Sequence, residues 1–257
     1  MQLELVVCRC GEDLAWTRNV PRQVAVTVYE KTPPPRSAWP NAIPLANVGR
    51  EAHAWLHHLA ERYESLADWT VFAQGHPFDH APDMHGVLRQ LAAGEPVAPE
   101  FLWLGFLWET DDARGRPTFV HWSKNPERRE LDLEGFFQRL WGTSAPETIR
   151  YVGGGQFALS RTAARRRPRI FYERACRLAA EFPDAAHAFE RTWDRVFLAP
   201  PLDPALFGPS GLRLLKPVRN KISPAGGAGT GPRLPIRAPC PRGPEGWKVS
   251  PANGREE

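Results

Sequence analysis

The stretch Ala67–His80, ADWTVFAQGHPFDH, joins two kinds of sequence. Its first half, WTVFA, is aromatic, β-branched and apolar without polar alternation, as in a strand buried on both faces. Its second half stops that strand with Gly75 and Pro77, then sets Asp79 beside His80. Strand and helix in alternation around this stretch imply a mainly parallel α/β sheet. The acid and imidazole on the loop have a local explanation, since Asp bonds its own backbone in turns. They also stand where an open α/β sheet holds its ligands, beyond the carboxyl ends of its strands.

Outward from this strand the signals alternate. Leu3–Arg9 (LELVVCR) and Val24–Glu30 (VAVTVYE) read as strands. After the Pro-rich TPPPRSAWP, Ala52, Leu56, Leu59, Tyr63 and Leu66 form one apolar stripe at helical spacing, with Asn47 as the expected N-cap. HGVLRQLAAG predicts a short helix, FLWLGFLW and TFVHW further strands, and LDLEGFFQRLW another helix. IRYV and QFALS flank a Gly153–Gly155 turn, and helices are expected from Pro168 and from Asp184. The predicted fold is α/β: a mainly parallel central sheet flanked by helices, over residues 1–198.

The last 60 residues, from Leu198, hold 12 Pro and 9 Gly, with nine basic and four acidic residues. The chain's net charge of +4 therefore sits in this segment, and the body carries about −1. Low apolar content predicts a disordered Pro/Gly-rich tail over 199–257. A body without excess positive charge lacks the basic face of a specific nucleic-acid-binding domain. No apolar run approaches the roughly 20 residues of a membrane helix, and LELVVCRC at the start has no signal-peptide pattern. Cys8, Cys10, Cys176 and Cys240 have neither CxxC nor zinc spacing, as expected of reduced thiols in a cytoplasm.

Three loops leave strands at the same expected edge: RCGEDLAW, QGHPFDH and GGGQF. If their strands are neighbours, Glu12, Asp13, Gln74, Asp79, His80 and Gln156 converge on one pocket. The run DHAPDMH, with Asp79, His80, Asp83 and His85, offers oxygen and imidazole donors for a divalent cation, or simply polar turn residues. Arg50, near a helix start, is a phosphate candidate because guanidinium and helix-end amides act together. The five arginines between Arg161 and Arg169 offer bidentate phosphate contacts, or a solvated helix start. Several signatures are excluded. His53 and His57 are one turn apart, but Ala54 replaces the Glu a zincin needs. Gly153, Gly155 and Ala158 match GxGxxA without the helix that should open there. There is no GxSxG elbow and no Walker Lys.

NVGREAHAWLHHL, ADWTVFAQGHPFDH, YVGGGQFALSR and FYERACRLA…FERTWDRVF, in this order, resemble a bacterial and fungal family, domain of unknown function 3431, over roughly residues 3–198. That family looks like the GT-A class of nucleotide-sugar glycosyltransferases, with a Rossmann-like architecture. The sequence departs from the family where Cys10-Gly11 precede Glu12-Asp13 and where Glu30 stands between Tyr29 and Lys31. It departs from the glycosyltransferases in lacking Asp-x-Asp after WTVFA.

The resemblance implies transfer of a sugar from a nucleoside diphosphate donor to a glycan or small-molecule acceptor. Glu12 and Asp13 would bind the nucleoside, Arg50 the diphosphate, with Gln74 beside them and Gln156 toward the acceptor. Asp79 and His80 would hold manganese or magnesium, or the sugar–phosphate junction. Asp79 and Glu190 are the catalytic candidates, Glu190 as general base. A metal-dependent hydrolase using the Asp/His loop and a noncatalytic ligand-binding protein are the alternatives.

Overall fold

The computed structural model describes residues 1–32, 39–94, 99–105 and 107–207, and the two-residue strands Arg213–Leu214 and Val249–Ser250. The expected tail beyond Phe207 otherwise lies outside the described residues.

The expected strands form as β1 (Leu3–Arg9), β2 (Val24–Glu30) and β4 (Trp69–Gln74), with a two-residue β3 (Ile43–Pro44) after the Pro-rich connector. β1 pairs in parallel with both β2 and β4, Leu3 standing opposite Val24 on one side and Trp69 on the other. FLWLGFLW does not form one strand. It divides into β5 (Phe101–Trp103) and β6 (Trp108–Asp111), which belong to different sheets. IRYV becomes β7 (Ile149–Val152), antiparallel to β6 in a two-stranded ribbon, and QFALS becomes β8 (Phe157–Ser160). The main sheet has the order β3-β2-β1-β4-β8-β5. β8 is antiparallel to both of its neighbours, so five strands run one way and one runs the other. The sheet is mainly parallel, as the sequence predicts.

Alternation within β1 shows why this strand is apolar throughout. Leu3, Leu5 and Val7 enter the core under α2 (Met84–Ala92), together with Val71, Ala73, Leu88 and Leu91. Val6 and Cys8 enter the opposite core with Phe72 and Phe157, under α1 (Arg50–Glu61) and α5 (Arg169–Glu181). Trp55 of α1, wholly buried, packs its ring on Phe72, Phe157 and Trp193. α1 starts at Arg50 with Gly49 as N-cap, and the expected cap, Asn47, instead directs its amide at Cys10 Sγ.

α3 (Leu133–Trp141), the helix expected from LDLEGFFQRLW, is capped at both ends: Asp132 accepts from Gly135 N–H at 2.8 Å, and Gly142 ends it at φ +70°. TFVHW, expected as a strand, is a 3-10 turn at Phe119–His121 within the connector from β6 to α3. The short α4 (Arg161–Ala164) follows β8 directly. The helix expected from Asp184 breaks into α6 (Ala185–Glu190) and α7 (Trp193–Val196). The chain stays on the body past Leu198, for Leu202 and Phe207 are buried and Phe207 packs on Trp108.

Candidate functional site

The chain runs from β1 outward to β2 and β3, and in the other direction to β4. The carboxyl ends of β1 and β4 therefore flank a point where strand order reverses, the usual crevice of such sheets. The loops after these two strands are fastened together there. Trp16 Nε1–H donates to Gly75 O at 2.9 Å, His85 Nε2 lies 3.0 Å from Trp16 O, and Trp16 packs edge-on against Phe78 at 5.6 Å. A side chain at Gly75 would meet the Glu12 carboxylate at 2.6 Å, so Gly75 makes room for it.

Glu12 and Asp13 stand at this edge, but each also serves its own turn. Glu12 accepts from Cys10 N–H at 2.5 Å, and Asp13 accepts from Ala15 N–H at 2.9 Å. Glu30, a departure from the family pattern, is the buried counter-ion of Arg9, its register partner across β1 and β2. Lys31 follows, buried, with Nζ donating to Val48 O at 2.5 Å; burial holds its pKa below the usual lysine value.

Gln74 and Gln156 do meet. Gln74 N–H donates to Gln156 Oε1 at 3.1 Å, and Gln156 Nε2 donates to Pro77 O at 2.9 Å. The Gln156 side chain is wholly buried with both ends of its amide engaged. It therefore braces the loop that carries Asp79 and His80. Asp79 ends a 3-10 turn, Pro77–Asp79, and the His80 ring lies against Gly154, where an added Cβ would sit 2.3 Å from its Cγ.

From Gly154 the contacts continue to α6. Glu190 Oε1 accepts from Gly154 N–H at 2.5 Å, while Oε2 lies 3.7 Å from His187 Nδ1 and 3.5 Å from Arg191 Nη1. Burial alone would raise the Glu190 pKa, but His187, the Arg191 charge and the Gly154 amide outweigh it and hold the carboxyl at about 2. A group so acidic is a weak general base at neutral pH. In this structure Glu190 is engaged as an anchor for the Gly154 turn. Arg191 is fixed in turn by Asp111 at 2.7 Å and by Thr118 Oγ1 at 2.7 Å, and Thr118 meets Tyr151 Oη at 3.0 Å. No local pattern in the sequence marked this network.

Arg50 lies at the same edge, since α1 begins beyond the carboxyl ends of the strands. Its backbone is left-handed, at φ +48°. Its guanidinium lies 5.6 Å from the Trp122 ring centroid and 3.5 Å from His187 Nε2. Lys124 approaches the same ring at 6.0 Å, and His187 meets it at 4.5 Å. Arg50 thus connects to His80 through His187, Glu190 and Gly154. The arginines after β8 do not join this edge: Arg161 pairs with Asp68, Arg165 with Glu64, Arg166 with Glu100 and Arg169 with Glu173.

A divalent ion finds little here. Asp83 lies against Gly86 at the start of α2, and His85 is taken by Trp16. Among the described residues, no three His, Cys, Asp or Glu side chains gather to hold a metal. Asp79 and His80 supply one carboxylate and one imidazole, fewer donors than a cation held by protein groups alone would need.

Fold and site together define an α/β domain with a charged rim at a strand-order reversal. The chain belongs to the family described as Protein of unknown function (DUF3431), which it matches over residues 5–204. No curated protein and no solved structure matches it. Among the described residues, no helix is long and apolar enough to cross a membrane.

Proposed function

We propose that the protein is glycosyltransferase-like, with a GT-A-like architecture, and binds a nucleoside diphosphate sugar beyond the carboxyl ends of β1 and β4. The observation that carries this reading is Arg50. A non-glycine residue in the left-handed region costs about 1–2 kcal/mol, and such strain concentrates at functional sites. Here it sets a guanidinium at the start of a 12-residue helix whose N-cap, Gly49, supplies no side-chain acceptor. Helix-end amides and guanidinium together suit a diphosphate. Lys124 adds charge beside them, and the half-buried Trp122 offers a ring face.

In transfer, an acceptor hydroxyl oxygen forms the new bond to the sugar carbon as the bond from that carbon to the diphosphate oxygen breaks, its electron pair leaving on the diphosphate and the hydroxyl proton passing to solvent. Arg50 and the α1 amides stabilise the charge that develops there. Asp79 and His80 border the sugar–phosphate junction, and Glu12 and Asp13 offer acceptors to the nucleoside hydroxyls. No step is assigned to a metal.

Thermal shift of the protein with uridine and guanosine diphosphate sugars tests the reading. Stabilisation by one donor, lost in Arg50→Ala and indifferent to manganese, is expected. Absence of a shift with every donor sinks it. The commitment of Glu190 to Gly154 favours one second reading, ligand binding without turnover. A donor that stabilises the protein but is never consumed in the presence of glycan acceptors distinguishes it.

A further inference from the structure

A cavity of about 440 Å³ opens between the C-terminal end of α3, the turn at Arg167 and the segment from α7 to Pro201. None of its lining residues belongs to the rim described above. Its walls are apolar and aromatic where Phe137, Trp141, Leu198 and Pro201 contribute, and charged where Asp194 and Arg195 stand. We propose that this cavity binds a free α-amino acid with an apolar or aromatic side chain. Asp194 takes the ammonium, Arg195 the carboxylate, and Phe137 with Trp141 the side chain.

The argument rests on two opposite charges, neighbours in sequence, that form no direct ion pair among the described residues. Asp194 is 5% exposed, and its carboxylate accepts the backbone N–H of Arg195 at 2.9 Å. The charge of neighbouring Arg195 acts on it from a distance, without a direct side-chain contact among the described residues. A carboxylate buried without a cation is costly, and burial pushes this one up to about 6. An ammonium ion placed against it recovers that cost. Arg195 is exposed, its guanidinium 5.4 Å from the Phe137 ring centroid, and it meets no carboxylate among the described residues. Arg167, the other cation in the lining, is already committed to the carbonyls of Val196 at 3.2 Å and Arg195 at 3.1 Å. Trp141 adds a buried Nε1–H without an acceptor.

A buried anion next to a rim cation, on apolar walls, is complementary to a zwitterion with an apolar body. A simple amine would leave Arg195 unmatched, and a simple acid would leave Asp194 unmatched. The volume stands near the lower end of the roughly 300–1,000 Å³ usual for small-molecule sites, so it suits a compact ligand.

Isothermal titration of the full chain with L-phenylalanine and L-leucine tests the assignment, with phenethylamine and 3-phenylpropanoate as ligands missing one charge. The amino acids should bind saturably, and phenylalanine should bind about tenfold or more tighter than either analogue, about 1.4 kcal/mol. Asp194→Asn keeps the acceptor for Arg195 N–H and should cost tenfold or more in phenylalanine affinity. Arg195→Met keeps the stem on Phe137 and should make phenylalanine and phenethylamine bind alike. Each variant is first checked for wild-type circular dichroism. Three results overturn the proposal: no saturable binding into the millimolar range, an analogue binding as well as phenylalanine, or a folded Asp194→Asn protein binding unchanged. Nucleotide-sugar binding at the rim has no part in these outcomes.

Discussion

Glu190 holds the Gly154 amide at 2.5 Å, and in doing so ties α6 to the turn between β7 and β8. The link gives that turn a fixed position against His80. It also gives the fold an acid-labile element, because ionisation of the carboxylate strengthens this bond and its pairing with His187 and Arg191.

Glu190 is depressed to about 2 in the folded state from an ordinary value of 4.5. Its contribution is therefore complete above about pH 4.5 and is lost as pH falls from there toward 2. A difference of this size corresponds to on the order of 3 kcal/mol, less the screening available to a side chain 21% exposed. Urea unfolding of wild type and Glu190→Gln should differ by about 2–3 kcal/mol at pH 7 and converge only as pH reaches about 2. Parallel stability curves across that range would contradict the assignment.

Arg50→Gly separates strain from function. Glycine removes the guanidinium and relieves the left-handed backbone, while the contact with Trp122 is lost. These opposing effects are each about 1 kcal/mol, so the unfolding midpoint should stay close to wild type. Stabilisation by a nucleoside diphosphate sugar should nevertheless disappear. A variant that retains the ligand shift removes Arg50 from the site.

Gly49 and Gly142 test how much of a glycine's value is backbone conformation and how much is space. Both are left-handed, at φ +57° and φ +70°. A Cβ at Gly142 meets nothing within 4 Å, whereas a Cβ at Gly49 would stand 2.2 Å from the carbonyl oxygen of Ala179 on α5. Gly142→Ala should cost about 1 kcal/mol. Gly49→Ala should cost that plus about 1–3 kcal/mol for forcing α1 and α5 apart. Equal unfolding midpoints for the two variants would mean that α1 does not cross α5 this closely.

What the sequence disclosed follows from locality. WTVFA is legible as a covered strand because burial on both faces leaves no polar alternation, and LDLEGFFQRLW is legible as a helix because its apolar residues recur at helical spacing. The edge bearing Glu12, Gln74, Asp79 and His80 is legible once β1 and β4 are taken as neighbours. FLWLGFLW misleads because the same apolar composition serves two strands in two sheets, and TFVHW because its β-branched and aromatic residues pack from a 3-10 turn. The duties of Gln156 and Glu190 depend on partners 82 and 36 residues away in the chain, and no window along the sequence contains them.

Gln156 provides the most direct test of how the candidate loop is held. Its carbonyl receives the Gln74 amide, and its amide serves the Pro77 carbonyl, with the side chain wholly buried between them. Gln156→Leu fills nearly the same volume but leaves one backbone donor and one backbone acceptor without partners. Each costs about 1–3 kcal/mol when water cannot reach it. A loss of about 2–5 kcal/mol in urea unfolding is expected. Amide hydrogen exchange should accelerate selectively over residues 74–80, because Gln74 loses its acceptor and the turn beginning at Pro77 loses its brace. Gln156→Glu distinguishes the two bonds. At neutral pH its carboxylate still accepts from Gln74 but faces the Pro77 carbonyl with another acceptor, so Gln74 should stay protected while the Pro77–Asp79 turn loosens. Faster exchange spread evenly over the sheet would mean that Gln156 supports the core as a whole and does not specifically position Asp79 and His80.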